Sequence, residues 1–409
     1  MKKYAALTIC SINYIAKTLV LFDSYNEHHP DHDFYLVIVD RKTPDINIGR
    51  DKIKIIWAED LGLPNFLKYA FCYDVLELNT NLKPSALRLI LQSNDSVIYL
   101  DPDIKIYASL ATVFQELEKS SLVVTPHSNT PIQDGKKPDD LELLKFGAFN
   151  LGFIGVSKCD EAFSFLNWWS DRCLEYGFYE PQSGLAVDQK WVGLAPCYFP
   201  NMKVLHDEGL NVAFWNLHER RLELIDGIFM VNGKDILKFI HFSSFNTKSP
   251  GDVAQKQTRF EPMSRSDFNS LAYPYAKELL NNKSDELSKV QYGFDFFDDG
   301  SYVTPALRRF YSQLRYKVFH SQENPFSNNG DVMRFAKKHG LLIKNKEGSK
   351  RHIFRDLNSY NLQIKIFNKI LRLSLFILGP ERYFNLMRYL AHISSLRNQI
   401  EMFSEVKKK

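Results

Sequence analysis

Apolar and polar positions follow two periods through roughly the first 250 residues, and the two periods interleave. Short β-rich apolar runs at Tyr4 to Cys10, Phe34 to Val39, Lys52 to Trp57, Val97 to Leu100 and Ser121 to Thr125 predict strands. Between them, Asn13 to Asn26 and Leu61 to Leu91 carry a helical spacing, the second broken at Asn79-Thr80-Asn81 and at Pro84. Cys159 to Tyr176 reads as an amphipathic helix, and Lys203 to Leu205 and Lys238 to His241 as late strands. Strands alternating with helices predict an α/β layer around a mostly parallel sheet. In such sheets, ligands sit beyond the carboxyl ends of strands. After Pro250 the pattern turns to helices, at Phe268 to Leu280 and Pro305 to Val318, and to polar or aromatic-acidic loops. Two regions are therefore expected, an α/β domain over 1–251 and a mainly α-helical region over 252–409.

Asn361 to Leu378 places Lys365, Lys369 and Arg372 at i, i+4 and i+7 beside Leu362, Ile366, Ile370, Leu373 and Ile377. This is a basic amphipathic helix. It stops before Gly379-Pro380, and a second helix is expected to run on toward Lys407-Lys408-Lys409. Two readings stay open: a helix packed on its domain with a solvated basic edge, or peripheral contact with an anionic membrane surface. An oligomer contact is a further use of the same region. The net charge is only +4, and Leu341 to Lys409 alone holds fourteen Lys/Arg against five Asp/Glu. The basic character belongs to the tail, so the composition gives no case for a nucleic-acid partner. The five cysteines lack C-x-x-C spacing and read as core thiols of a reducing, cytoplasmic compartment, with the inner membrane face as a second location. No uncharged apolar run of about 20 residues exists, so no transmembrane helix is expected.

The candidate chemistry starts at Asp101-Pro102-Asp103, directly after the Val97 to Leu100 run. An Asp-x-Asp in extended backbone sends both carboxylates to one side. Two hard oxygen ligands at a strand end suit Mg²⁺ or Mn²⁺ on a diphosphate. A plain polar turn is the competing reading, and Asp31-His32-Asp33, after Pro30, reads that way. Asp40 also closes a predicted strand. Asn129 to Asp140 is expected to be a mobile loop. Gly147, Gly152 and Gly155 interrupt an apolar run and make sense where backbone approaches a ligand closely.

Tyr99-Leu100-Asp101-Pro102-Asp103, Phe149-Asn150-Leu151-Gly152, Asp188-Gln189 and His241 near Lys248, in this order, resemble the motifs of bacterial GT-A glycosyltransferases, family-8-like retaining enzymes above all. The resemblance spans about Tyr4 to Pro250. It implies a Rossmann-like nucleotide-diphospho-sugar transferase core that uses Mn²⁺ or Mg²⁺ and a nucleotide sugar, UDP-linked by expectation. The acceptor would be a surface glycan or a lipid-linked saccharide. Asp101, Asp103 and His241 would be the metal ligands, although without the resemblance His241 reads first as a hydrogen-bonded core histidine. Asp188 and Gln189 would be the catalytic pair, lining the donor sugar near its anomeric carbon, with Asp188 as general base if the enzyme instead inverts, and Asn150 and Gly152 would meet the donor sugar or the acceptor. Thr8, Asn13 and Asp40 would face the nucleoside. Lys83, with Arg88 as the other candidate, would supply a second cationic contact. Lys248 would touch phosphate, but the family's Gly-x-Lys-Pro-Trp is here Lys248-Ser249-Pro250. Two other classes stay in view. A sugar-nucleotide nucleotidyltransferase needs a Gly-rich basic loop that Cys10-Ser11-Ile12-Asn13-Tyr14 does not provide. A non-catalytic nucleotide-sugar-binding scaffold needs only the pocket.

Overall fold

The computed structural model describes residues 2–43, 46, 48–343 and 361–403, of Asn361 the backbone alone. The Lys407-Lys408-Lys409 end expected to close the second basic helix lies outside the described residues. The strands that position the site are β1 (Tyr4–Cys10), β2 (Asp33–Ile38), β3 (Ile53–Trp57), β4 (Ser96–Leu100), β5 (Ile104–Ile106), β6 (Leu122–Pro126), β7 (Phe149–Ser157), β8 (Met202–Val204) and β9 (Phe239–His241). Seven of them form one sheet in the order β8-β6-β7-β4-β1-β2-β3. All neighbours run parallel except β7, which lies antiparallel between β4 and β6. This is the expected α/β architecture, and the C-terminal region is mainly helical.

The chain lays β2 and β3 on one side of β1, then crosses back to place β4 on the other. That reversal leaves a crevice beyond the carboxyl ends of β1 and β4. Helix α1 (Ile15–His28) covers the sheet there, and its Ser24 hydroxyl accepts from the Ile106 amide at 3.1 Å. β5 leaves the main sheet and pairs antiparallel with β9, setting Ile104 opposite His241.

Asn79-Thr80-Asn81 is the last turn of helix α2 (Val75–Asn81), and the break falls directly after it, at Leu82. Asp74 caps that helix through the Leu76 and Glu77 amides in a capping box. Pro84 stands in the first turn of α3 (Lys83–Leu91), where a missing N–H costs no helical bond. The Asn129 to Asp140 loop is tethered. Glu219 accepts from the Asn129 and Thr130 amides at 2.9 and 2.8 Å, and Arg259 pairs with Asp134. Cys10, Cys72 and Cys173 are buried, but Cys159 and Cys197 are exposed, a correction to the expectation of five core thiols. Cys159 precedes helix α4 (Asp160–Tyr176) at its N-cap, outside the buried face.

By contact the chain forms two units, Met1–Phe294 and Asp295–Lys409. Residue 252, where the sequence pattern changes, falls inside the first. Helix α5 (Ser266–Asn281) belongs to that unit because its Tyr275 ring stacks on Phe242 at 3.9 Å and its Glu278 takes the Lys105 ammonium at 2.6 Å. In the second unit, Phe310, Phe335 and Phe403 pack edge to face or tilted, with Phe403 4.7 and 5.0 Å from the other two.

His29, 6% exposed, accepts the Leu110 amide at 2.9 Å, and burial lowers its pKa to about 4. The unfolded chain takes up this proton near pH 6.5. Folded-state stability from the neutral ring is therefore present above that pH and lost as pH falls toward 4. A His29→Gln variant keeps an acceptor but no titration. Its stability deficit against the wild type is expected to narrow by on the order of 2 kcal/mol between pH 7 and about 4.5, read by urea unfolding at both pH values. A constant deficit would remove the assignment.

Candidate active site

β4 is buried along its whole length and ends at Leu100. The next residues form a turn in which the Ile104 amide donates to the Asp101 carbonyl at 3.1 Å, while the Asp101 amide donates to Gly152 at 2.8 Å. The turn gathers the two carboxylates, where extended-strand alternation was expected to do so. Pairing of β5 with β9 then brings His241 across. Its Nε2 stands 3.0 Å from Asp103 Oδ1 and 3.6 Å from Asp101 Oδ2. One ligand atom from each of Asp101, Asp103 and His241 lies within 4.8 Å of the others. Tyr99 donates its hydroxyl to Asp101 Oδ1 at 2.6 Å and so aims that carboxylate. Burial opposes the Asp103 charge, but His241 and Lys17 outweigh it and hold the carboxyl well below the usual range. Two carboxylates and an imidazole, with the Asp103 charge retained despite burial, are a donor set that fits Mn²⁺ or Mg²⁺.

Gly152 has a reason the sequence did not show. A Cβ there would lie 2.4 Å from His241 Cε1, 2.6 Å from Nδ1 and 2.8 Å from Asn150 Oδ1. The glycine makes room for the imidazole. Gly152→Ala is expected to push His241 off the two aspartates and weaken Mn²⁺ binding by about 10- to 100-fold, measured by titration calorimetry. Unchanged affinity would show that His241 is not a ligand.

Lys83 is 3% exposed. Its ammonium donates to the Leu151 carbonyl at 2.9 Å and pairs with Asp188 at 3.0 Å and Asp101 at 3.5 Å, above the Tyr99 ring at 4.5 Å. Burial works against this charge, and the two carboxylates more than compensate, so its pKa is raised. Asp188 is 1% exposed, and burial lifts its carboxyl to about 6 against the pull of Lys83. Val187, immediately before it, has φ +47°, a conformation that a β-branched residue takes only under constraint. Gln189 accepts from the Leu151 amide at 3.1 Å and donates to the Phe146 carbonyl at 3.0 Å. Asn150 Oδ1 accepts from the Gly152 amide and from Asn211 Nδ2, both at 3.1 Å. These residues meet in one place. Arg88 does not join them, because it donates to Asn167 of α4.

Of the three residues expected to face a nucleoside, Thr8 is fully buried on β1 with its hydroxyl unpartnered. Asn13 follows the end of β1 and accepts from Ser11 at 2.5 Å. Asp40 lies just past β2 and accepts from the Arg41 and Gly293 amides at 2.9 and 2.7 Å. Lys248 is exposed, in the turn after Asn246.

Sequence reading missed Lys17 and the whole Gly209 to Arg220 stretch. Lys17, on α1, reaches 3.6 Å from Asp103. Asn211, fully buried at φ +54°, donates to Thr125 and Asn150. Trp215 stands edge-on between His127 and His241, with centroids 5.4 and 5.2 Å away. The Asn211 side-chain carbonyl and the Trp215 indole N–H are buried and unpartnered. A run that mixes Asn, His, Glu and Arg with Phe and Trp and has no helical or strand period, Asn-Val-Ala-Phe-Trp-Asn-Leu-His-Glu-Arg, was the available signal. The segment that follows Trp215 in the chain also lines an open cavity of about 1090 Å³, with Leu217, His218 and Arg220 facing Arg259, Phe260 and Arg265, and no residue of the Asp101, Asp103 and His241 cluster borders it.

No family model matches the chain. In sequence it is similar to two uncharacterized proteins of Bacillus subtilis (strain 168). YfnF is 25% identical over 256 residues, 61% of this chain and 84% of that protein. YfnD is 25% identical over 312 residues, 73% of this chain and 95% of that protein. Among solved structures it is similar to the galactosyltransferase LgtC in complex with donor and acceptor sugar analogs. That match has 15% identity and TM-score 0.41, and covers 66% of this chain and 95% of that one. The glycosyltransferase GlyE of Streptococcus pneumoniae TIGR4 matches with 13% identity and TM-score 0.40, covering 73% of this chain and 67% of that one.

Proposed function

We propose that the chain is a GT-A glycosyltransferase that moves a sugar, of hexose type, from a UDP-sugar to a saccharide acceptor. The observation that carries this reading is the Asp101, Asp103 and His241 cluster at the end of β4, backed by the buried Lys83–Asp188 pair. Asp101, Asp103 and His241 would hold Mn²⁺ or Mg²⁺, which when bound neutralises the diphosphate leaving group. Lys83 keeps Asp101 and Asp188 at fixed positions in the absence of substrate, so the site is preorganised. Gln189 and Asn150 spend their amides on backbone and side-chain partners and hold the sugar-facing wall rigid. Asn211 and Trp215 offer one unmatched acceptor and one unmatched donor, and sugar hydroxyls would match both. Thr8, Asn13 and Asp40 flank the nucleoside, and the exposed Lys248 is the cation for the departing phosphate.

Transfer with retention fits a path in which the leaving phosphate oxygen takes the acceptor proton, since among the described residues Asp188, the carboxylate otherwise placed to act as base, is paired with Lys83. On this reading the acceptor occupies the cavity lined by Leu217, His218, Arg220 and Arg265, whose segment follows Trp215 directly in the chain. Phe260 supplies an apolar face, and the Arg265–Asp267 and Arg259–Asp134 pairs present fixed donors and acceptors to hydroxyls. A surface glycan or lipid-linked saccharide suits a cavity of that size.

A thermal-shift screen of nucleoside diphosphates and their sugars, with and without Mn²⁺, tests the proposal. UDP compounds are expected to raise the melting temperature only with Mn²⁺, and a cleavable UDP-sugar to be hydrolysed slowly. Equal UDP binding in excess chelator would overturn the metal reading. Binding without any turnover would favour a non-catalytic scaffold.

A further inference from the structure

The second unit carries a helix pair that its own fold leaves uncovered. Asn361–Ile393 is helical with a sharp kink at Gly379, φ +70°, followed by Pro380. No side chain from 362 to 394 is buried. Leu362, Ile366, Ile370, Leu373 and Ile377 recur at i, i+4, i+8, i+11 and i+15, so they form one stripe, and they are 71, 51, 53, 58 and 69% exposed. Phe376 beside them is 87% exposed, and Phe384 and Tyr389 past the kink are 61 and 60% exposed. The segment is nevertheless attached firmly behind. Ser395 and Phe403 are buried at 3 and 7%, and Phe403 packs on Phe310 and Phe335.

An apolar stripe of this size, left in water, marks an interaction surface. Charge says what covers it. Lys365, Lys369 and Arg372 form a second stripe alongside the first, and Arg382 and Arg388 continue past the kink, all exposed, with Glu381 the one acid between 361 and 393. Two copies of this face would bring like charges together, which costs energy in an apolar contact. An anionic surface would match both stripes at once: aliphatic side chains enter the acyl boundary while the Lys and Arg stems reach back to lipid phosphates. No helix among the described residues is long and apolar enough to cross a membrane.

We propose that the helices on either side of Gly379 lie flat on an anionic lipid bilayer, with the Leu362 to Ile377 stripe facing the acyl chains. The kink turns the axis, so both helices can rest in one plane. The inference stands apart from the transferase reading, because it uses no residue of the candidate active site.

Co-sedimentation of the full chain with phosphatidylcholine vesicles, with and without roughly one-third phosphatidylglycerol, tests it. Binding is expected to the anionic vesicles, to weaken at high salt, and to be absent or slight on neutral ones. Lys365→Glu/Lys369→Glu/Arg372→Glu is expected to lose on the order of a hundredfold or more in vesicle affinity, and Ile366→Asp/Ile370→Asp to lose binding although all cations remain. The stripes are exposed, so both variants should keep the wild-type melting temperature and UDP-sugar hydrolysis. Equal partition onto both vesicle types, or no partition, would overturn the proposal. So would a wild-type dimer that Ile366→Asp/Ile370→Asp turns into a monomer without vesicle binding, since a second copy would then own the face.

Discussion

Asp103→Ala is expected to lower Mn²⁺-dependent turnover of a UDP-sugar by on the order of a thousandfold or more, with the fold intact. Asp103 is the carboxylate nearest His241, at 3.0 Å, and its charge survives burial because His241 and Lys17 face it. Alanine removes one of the three candidate ligand atoms and leaves Lys17 without its acid. The remaining Asp101 and His241 stand 3.6 Å apart, too few donors to hold a cation against water. The measurement pairs Mn²⁺ titration calorimetry with donor hydrolysis, and thermal unfolding serves as the control. Asp103 sits in a turn and not within β4 or β5, so the melting temperature should move little. Activity that persists in the variant, or in the wild type with excess chelator, would sink the metal assignment.

Lys83→Met should act on stability first. The ammonium is 3% exposed and answers two carboxylates and a carbonyl. Methionine fills much the same volume but leaves Asp188, 1% exposed, without a cation. Breaking a buried pair in this one-sided way costs about 3–5 kcal/mol, read from urea unfolding at pH 7. The pH dependence identifies the cause. Asp188 already titrates near 6 because of burial, with Lys83 pulling it down. Without Lys83 its folded-state pKa rises further, while the unfolded value stays near 3.9. A carboxyl raised in the folded state regains stability as pH falls through that higher value, so the penalty should shrink between pH 8 and about 5.5. A penalty independent of pH would mean that lost packing, and not an orphaned charge, explains the variant.

How much of this could be read along the chain depends on the distance over which each feature is decided. The strands from Tyr4 to Leu100 and the helices between them were legible, because burial on one or both faces imposes a local period. The interruption read at Asn79-Thr80-Asn81 falls at Leu82, one residue later, while those at residues 62–65 and 73–74 were not read, the latter because the Asp74–Glu77 capping box that starts a new helix is a contact between side chain and backbone. Cys159 and Cys197 were misplaced because composition assigns thiols to the interior only on average, while the exposure of a helix N-cap, as at Cys159, or of one face of a short helix, as at Cys197 within Ala195–Tyr198, is set by its neighbours.

The sequence by itself determined the α/β order of elements, the position of Asp101 and Asp103 at a strand end, and the paired basic and apolar stripes beyond Asn361. Each is written in a span of twenty residues or so, where backbone period and side-chain polarity act directly. Tertiary structure alone decided that β5 pairs with β9 and so delivers His241, that α1 delivers Lys17, that Lys83 is a buried counter-ion, and that Gly152 exists to clear an imidazole. It also decided that Asn211 and Trp215 stand at the site. These are contacts between segments far apart in the chain, fixed by sheet order and close packing, and no local pattern encodes which distant side chain fills a given space.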